Sequence, residues 1–337
     1  PIGKLVFKLA IPTVMAQLVN LLYNIVDRIY VGRIPEIGSL SLAGLGVTFP
    51  IILLVSAFAM LAGMGGASRA AVSMGEKDND KAEKILGNCT MLLIIFSVVL
   101  AVVFMLTKNQ ILMKFGASEA TLPYASDYIS IYLVGTIFVQ IALGLNLFIT
   151  NQGFAKTSMM TVCIGAVLNI VLDPIFIYVF GMGVKGAALA TIISQGVSCL
   201  WVLKFLTGKK TVLKIRLKNL ALDGKIVTSV LSLGVSPFIM QATECLIQLT
   251  FNNGMLKYGN DLYVALMSIL FSLTQLIWMP LNGFSQGAQP VIGYNYGAKR
   301  FDRVKKAFKL QFTYMFLTFC GCACRSVPDG VFEDVHK

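Results

Sequence analysis

Apolar residues in this chain fall into long blocks broken by short polar punctuation. A helix that crosses a bilayer needs about 20 mostly apolar residues. Roughly nine segments meet that need: 5–31, 46–74, 86–107, 125–150, 158–180, 186–206, 228–254, 263–293 and the least apolar, 307–324. None shows the alternation of two that marks a barrel strand. The connections are short except 207–227, a basic stretch that follows the sixth helix. The pattern predicts an all-α polytopic membrane protein, a helical bundle with six helices before the basic connection and about three after it.

The polar residues inside these blocks carry the candidate chemistry. A carboxylate near the bilayer centre costs several kcal/mol, so an acid there is a functional candidate. Of sixteen acids only Asp27, Asp173 and Glu244 lie well inside the spans, with Asp127 at a helix entrance. Gln17, Asn20, Asn24 and Asp27 recur at intervals of three and four, which puts them on one helix face beside Tyr23. Asn169 and Asp173 share a face of the fifth helix, and the Pro174 that follows loosens that helix and frees backbone carbonyls near the acid. Two acids in one polar pocket, with amide and hydroxyl groups able to bond either form, are the parts a proton-exchanging site needs. A purely structural buried network uses the same residues. Gln241, Glu244 and Gln248 form a second stripe on the seventh helix, and Asn282, Gln286 and Gln289 on the eighth line a cavity or bond between helices. Gly63, Gly65, Gly66 and Ala67 read as close helix packing.

Composition closes several doors. The chain is 56% hydrophobic and 13% charged with mean hydropathy +0.77, whereas a soluble domain carries about 25% charged residues. A cytosolic enzyme, a disordered chain and a secreted disulfide scaffold are excluded. The net charge of +12 lies between apolar blocks rather than on a water-facing domain, so no nucleic-acid partner is expected. Twenty Lys and Arg fall on the side of the N-terminus and the even-to-odd connections, six on the other side and two in the tail. The positive-inside rule makes the N-terminus cytoplasmic. Seven Cys include a CxCxC run (Cys320, Cys322, Cys324) with only His336 near it, which lacks zinc-finger spacing, so buried thiols are expected and no metal site. HExxH, GxSxG and P-loop motifs are missing, which argues against a membrane enzyme.

The sequence also contains a repeat. GEKDNDKAEK (75–84) matches GAKRFDRVKK (297–306) at a shift of 222, and Gln17, Asn20 and Asn24 match Gln241, Glu244 and Gln248 at a shift of 224. Two nearly equal offsets between helix ends predict a duplication, with halves of six helices running in the same direction. On that basis 1–206 is an N-lobe (TM1–TM6), 207–227 the cytoplasmic inter-lobe connection and 228–318 a partial C-lobe (TM7, TM8 and the start of TM9). The polar stretch 319–337 reads as a truncation or frame change, and an opening Pro1 without Met implies further residues upstream.

Pro12 followed by Asp27, the 75–84 connection, and VLNIVLDPIF (167–176) resemble the multidrug and toxic compound extrusion (MATE) transporters, in their MepA-like bacterial branch, over about residues 1–318. The resemblance implies two six-helix lobes facing a cleft, here with an incomplete second lobe. It implies a multi-pass protein of the bacterial plasma membrane that exports bulky, often cationic drugs in exchange for protons or sodium by alternating access. Partners would be the bilayer and a small-molecule substrate, with a monomeric chain and no cofactor beyond the coupling ion. It places the coupling site at Asp27, Tyr23, Asn169, Asp173, Tyr128, Asn146 and Thr191. The substrate cleft is assigned to Gln17, Asn20, Gln241, Glu244, Gln248, Asn282 and Gln286. Two other readings stay open: a lipid-linked oligosaccharide flippase, whose cationic groove has only Arg28 and Arg69 as candidates, and a fragment that folds in the membrane but transports nothing.

Overall fold

In the computed structural model the backbone is described for residues 2–258 and 261–326, and the side chains for the same residues except 252–253, 255–274, 276–277 and 319–326. Residues 327–337, with His336, and the side chains of Cys320, Cys322 and Cys324 lie outside the described residues, and so do the readings that rest on them. The described chain is helical, without strands. Its helices are α1 (Ile2–Gly32), α2 (Gly38–Gly75), α3 (Asn79–Lys114), α4 (Leu122–Val134), α5 (Thr136–Asn151), α6 (Ala155–Pro174), α7 (Val184–Thr207), α8 (Gly224–Tyr258), α9 (Asp261–Gly297) and α10 (Phe301–Ser326). Six helices of the described residues are long and apolar enough to cross a membrane, and the bent pair α4 and α5 makes seven if it crosses as one.

That pair corrects the sequence reading of 125–150 as one helix. The axis bends by 59° at Gly135. A Cβ at Gly135 would run into the Ile192 side chain of α7, so the elbow exists where α7 packs into it. One smaller break was legible. Pro174 cannot donate a backbone hydrogen bond, and directly after it the helix widens into a π turn over Ile175–Val179, closed by Phe180 N donating to Ile175 O at 2.9 Å. At the other end of the bundle Asp78 caps α3 by accepting from Lys81 N at 3.0 Å.

The core of the first six helices is built from small residues. Ala59, Ala62, Ala67, Ala70 and Ala71 of α2 meet Leu86, Cys89 and Leu93 of α3 and Leu145 and Phe148 of α5. Cys89, Cys199 and Cys245 are free and buried, as a small hydrophobe would be. Gly63 lies against the backbone of Gly144, and Gly66 against Cys89 and Phe148, the close packing that the glycine run predicts.

The seam between the two sets of helices obeys the repeat. A Cβ on Gly75 of α2 would collide with the Tyr294 carbonyl of α9, and one on Gly297 of α9 would collide with the Val72 carbonyl of α2. Gly75 and Gly297 differ by 222, and so do their partners Val72 and Tyr294. The mixed pairs agree as well. Gly65 meets Val230 and Gly234 of α8, while Gly287, 222 further on, meets Ala10 of α1, which precedes Gly234 by 224. The turns after α2 and α9 are copies. Lys77 and Lys299 both take positive φ (65° and 57°), and Asp78 N→Ser73 O (3.0 Å) is matched by Arg300 N→Asn295 O (2.9 Å). Side-chain bonds cross the seam from Thr13 Oγ1 to Gly283 O (2.6 Å) and from Gln17 Nε2 to Gln286 Oε1 (3.3 Å), with Gln289 Nε2 donating to Ser68 Oγ.

Candidate functional site

Asp27 sits in the penultimate turn of α1 and Asp173 in the last turn of α6, and these two helices pack along one another. Both carboxyls are buried, Asp173 with no exposed surface. They face each other within hydrogen-bonding reach. Asn169, one turn before Asp173, donates from Nδ2 to Asp173 Oδ1 at 3.2 Å and to Thr191 Oγ1 of α7 at 3.4 Å. The Thr191 hydroxyl donates to Ala187 O at 3.0 Å, so its orientation is fixed by its own helix. Tyr128 of α4 lies beside Thr191 and Asp27, and Tyr23 lies one turn before Asp27. Four helices, α1, α4, α6 and α7, therefore converge on one polar pocket among otherwise apolar helix faces.

The pocket is incompletely satisfied. Asp27 Oδ1, Asp173 Oδ2 and Asn169 Oδ1 are buried with no hydrogen-bond partner. Buried polar atoms are nearly always bonded, and each exception calls for a cause. Two ionised carboxylates offer only acceptors to each other, so the pair lacks a donor or a positive charge. One proton held between the carboxyls, or one small cation, would fill that lack.

Not every predicted residue reaches this pocket. Asn146 is on α5, and its Nδ2 donates to Ser158 O at 3.3 Å. Ser158 precedes Asn169 by eleven residues on α6, roughly 16 Å along the axis, so Asn146 sits near the opposite end of the bundle. Glu244 is exposed on α8 without a hydrogen bond or ion pair among the described residues, while its neighbour Cys245 is buried against Pro50 O. Asn24 turns back to bond Asn20 O at 2.7 Å. Gln17 and Gln286 meet across the seam; Asn20, Gln241 and Gln248 are half-buried, and Asn282 is exposed. Asp127 forms an exposed ion pair with Lys185 at 3.4 Å. One contributor was missed by sequence reasoning: Tyr132 stacks on Tyr128 at 6.3 Å between centroids. The four-residue spacing of the tyrosines was the available signal.

A bundle of apolar helices that keeps two opposed acids, an amide and two phenols in its interior defines a polytopic membrane transporter rather than an enzyme. The family model MatE matches residues 12–175 and 237–324. The chain belongs to the MatE family. It is 27% identical over 321 residues to the "Multidrug export protein MepA" of Staphylococcus haemolyticus, covering 95% of this chain and 70% of that protein. It is 25% identical over 327 residues to the protein of the same name from Staphylococcus aureus, covering 96% and 70%. Among solved structures it resembles the outward-facing conformation of a multidrug resistance MATE family transporter of the MOP superfamily. The TM-score there is 0.89 at 25% identity, over 98% of this chain and 72% of that one.

Proposed function

We propose that this chain exports small organic compounds, many of them cationic, from a bacterial cell across the plasma membrane, and that it does so in exchange for protons bound by the Asp27–Asp173 pair. The observation that carries the coupling is the pair of opposed, buried and unpartnered carboxyl oxygens. Support for export of small organic compounds comes from the relatives' name, "Multidrug export protein", the cationic class is what the family resemblance implies, and support for a cytoplasmic N-terminus comes from the twenty basic residues on that side.

The mechanism follows from what a proton changes. Two bare carboxylates repel across the α1–α6 contact, whereas one shared proton turns the same contact into a hydrogen bond. A ligand shifts a conformational equilibrium only by the difference in its affinity for the two states. The proton therefore favours whichever position of α1 brings Asp27 against Asp173. Toward its N-terminal end α1 also forms part of the seam, through Thr13 on Gly283 and Ala10 on Gly287. One helix thus connects the acid pair to the contact that opens or closes the basic end. Sodium could occupy the same carboxyl and amide oxygens, and the pair of gradients below decides between the ions.

The test is efflux of a cationic dye from proteoliposomes driven separately by a pH gradient and by a sodium gradient. Proton-driven efflux in the wild type, with at least tenfold loss in Asp27→Asn and in Asp173→Asn, is the expected result. Efflux unchanged in Asp27→Asn rejects the site, and efflux driven by sodium alone reassigns the ion.

A further inference from the structure

The connection between α7 and α8 is a fixed strap. Gln152, just past the end of α5, accepts at Oε1 from Thr211 Oγ1 (2.8 Å), Val212 N (2.8 Å) and Leu213 N (2.9 Å). Glu83 of α3 accepts from Lys214 N at 3.2 Å and pairs with Arg216 Nε at 2.8 Å. Asn88 of α3 accepts from Asp223 N at 2.7 Å and donates to Asn219 O at 3.4 Å. Six of these seven contacts involve strap backbone or the paired Arg216, so the path of the strap is set by the helices beneath it.

That path leads down the side of α3. A Cβ at Gly87 would collide with the Asn219 carbonyl, so the strap touches α3 eight residues after its start. Eight residues are about 12 Å of helix, which brings the strap to the level where the apolar run of α3 begins. There it turns in a short 3-10 segment, Leu217–Asn219. Leu217 is 86% exposed, and Val212 and Leu222 are about half exposed. Around them Lys204, Lys209, Lys210, Lys218 and Lys225 are exposed and form no ion pair among the described residues. Leucine held rigidly outward, ringed by free lysines at the edge of an apolar bundle, is the composition of a segment lying in the headgroup layer.

We propose that this strap is a docking surface for anionic phospholipid: Leu217 enters the acyl boundary and Lys209, Lys210 and Lys218 hold headgroup phosphates. Charge complementarity commits the site to a lipid surface, because the exposed leucine requires an apolar neighbour that a soluble phosphate does not provide. The strap is riveted to α3 and to the end of α5 through Gln152, Glu83 and Asn88, so bound lipid would be held by those helices. The inference concerns the membrane and stands apart from the choice of cargo or coupling ion.

The test uses the full chain in nanodiscs, with Leu217→Trp in a Trp201→Phe, Trp278→Phe background. Dibrominated phosphatidylglycerol or phosphatidylcholine serves as quencher at equal mole fraction. The expected result is quenching by both, with phosphatidylglycerol preferred by about fivefold. That preference disappears in Lys209→Gln, Lys210→Gln, Lys218→Gln and is kept in the matching triple Lys→Arg variant, which controls for folding. Quenching by aqueous iodide but by neither lipid places the strap in water and overturns the proposal. Equal quenching by the two lipids, or a preference that survives the glutamine triple, overturns the headgroup assignment. Displacement of the bromolipid by an added acidic protein at physiological salt would reassign the surface to a protein partner.

Discussion

The seam and the acid pocket are built on the same duplicated helices, and the duplication treats them in opposite ways. At the seam the copies agree to the residue: Gly75 and Gly297, Lys77 and Lys299, Ser73 and Asn295 occupy matched positions with matched contacts. At the pocket they part. Asp27 of α1 shifted by 224 is Phe251 of α8, and Tyr23 becomes Ile247. A seam between pseudo-symmetric halves is self-complementary, so a change on one side must suit its copy across the axis. The pocket lies within one set of helices and has no such obligation. Among the described residues, the geometry of the seam is shared between the two sets of helices, and the paired acids lie on α1 and α6.

The largest expected effect follows from breaking that asymmetry. Asp27→Phe places the residue of the second half into the first and deletes the donor-seeking carboxyl. Transport is expected to fall by two orders of magnitude or more, because an interaction specific to one conformational state is removed outright. The reciprocal Phe251→Asp is expected to restore none of it, since the one acid in the sequence of α8, Glu244, is seven residues away, about 10 Å along the helix. Initial rates of dye efflux at matched expression check both, and substantial rescue by the reciprocal change would show that the halves are interchangeable after all.

Next come the seam glycines. Gly75→Val and Gly297→Val each force a side chain onto a carbonyl of the other set, where no flexible group can yield. Overpacking of this kind costs about 3 kcal/mol. The two variants are expected to lower the unfolding midpoint by the same amount, while Gly46→Ala, with nothing within 4 Å of its new Cβ, changes little. Unequal losses in the matched pair would undo the symmetry argument. Thr13→Val is milder: it leaves Gly283 O without its 2.6 Å donor, a loss of about 1–2 kcal/mol.

Much of this was legible in the sequence. The apolar blocks located the helices, the offsets of 222 and 224 marked a repeat whose matched positions recur at the seam, and the spacing of Asn169, Asp173 and Asp27 selected residues that do converge. Hydropathy records whether a segment is apolar and says nothing of its axis, so the 59° elbow at Gly135 stayed hidden inside one continuous block. Asn146 was a matter of depth. Its stretch of α5 faces the start of α6, and counting residues back from Asn169 would have placed it about 16 Å from the acids. The strap was hidden for another reason. Gln152, Glu83 and Asn88 hold it by side chain to backbone bonds, and backbone acceptors and donors leave no trace in residue types.

The smallest effect offers the sharpest check on the repeat. Lys77 and Lys299 hold left-handed backbone, which costs an L-residue with a Cβ roughly 1–2 kcal/mol relative to glycine. Replacement by glycine removes that cost but adds freedom to the unfolded chain, which takes back part of the gain. Both lysines are exposed and form no ion pair among the described residues, so charge removal contributes little. Lys77→Gly and Lys299→Gly are each expected to stabilise by about 0.5–1 kcal/mol and equally, and because the two turns pack together at the seam, where Gly75 lies against the Tyr294–Ala298 backbone, the double variant reads their coupling. Thermal unfolding of the two single variants and the double variant measures this. Stabilisation at one turn and loss at the other would mean that the matched φ values conceal different loads, and that the two halves copy each other in shape without sharing energetics.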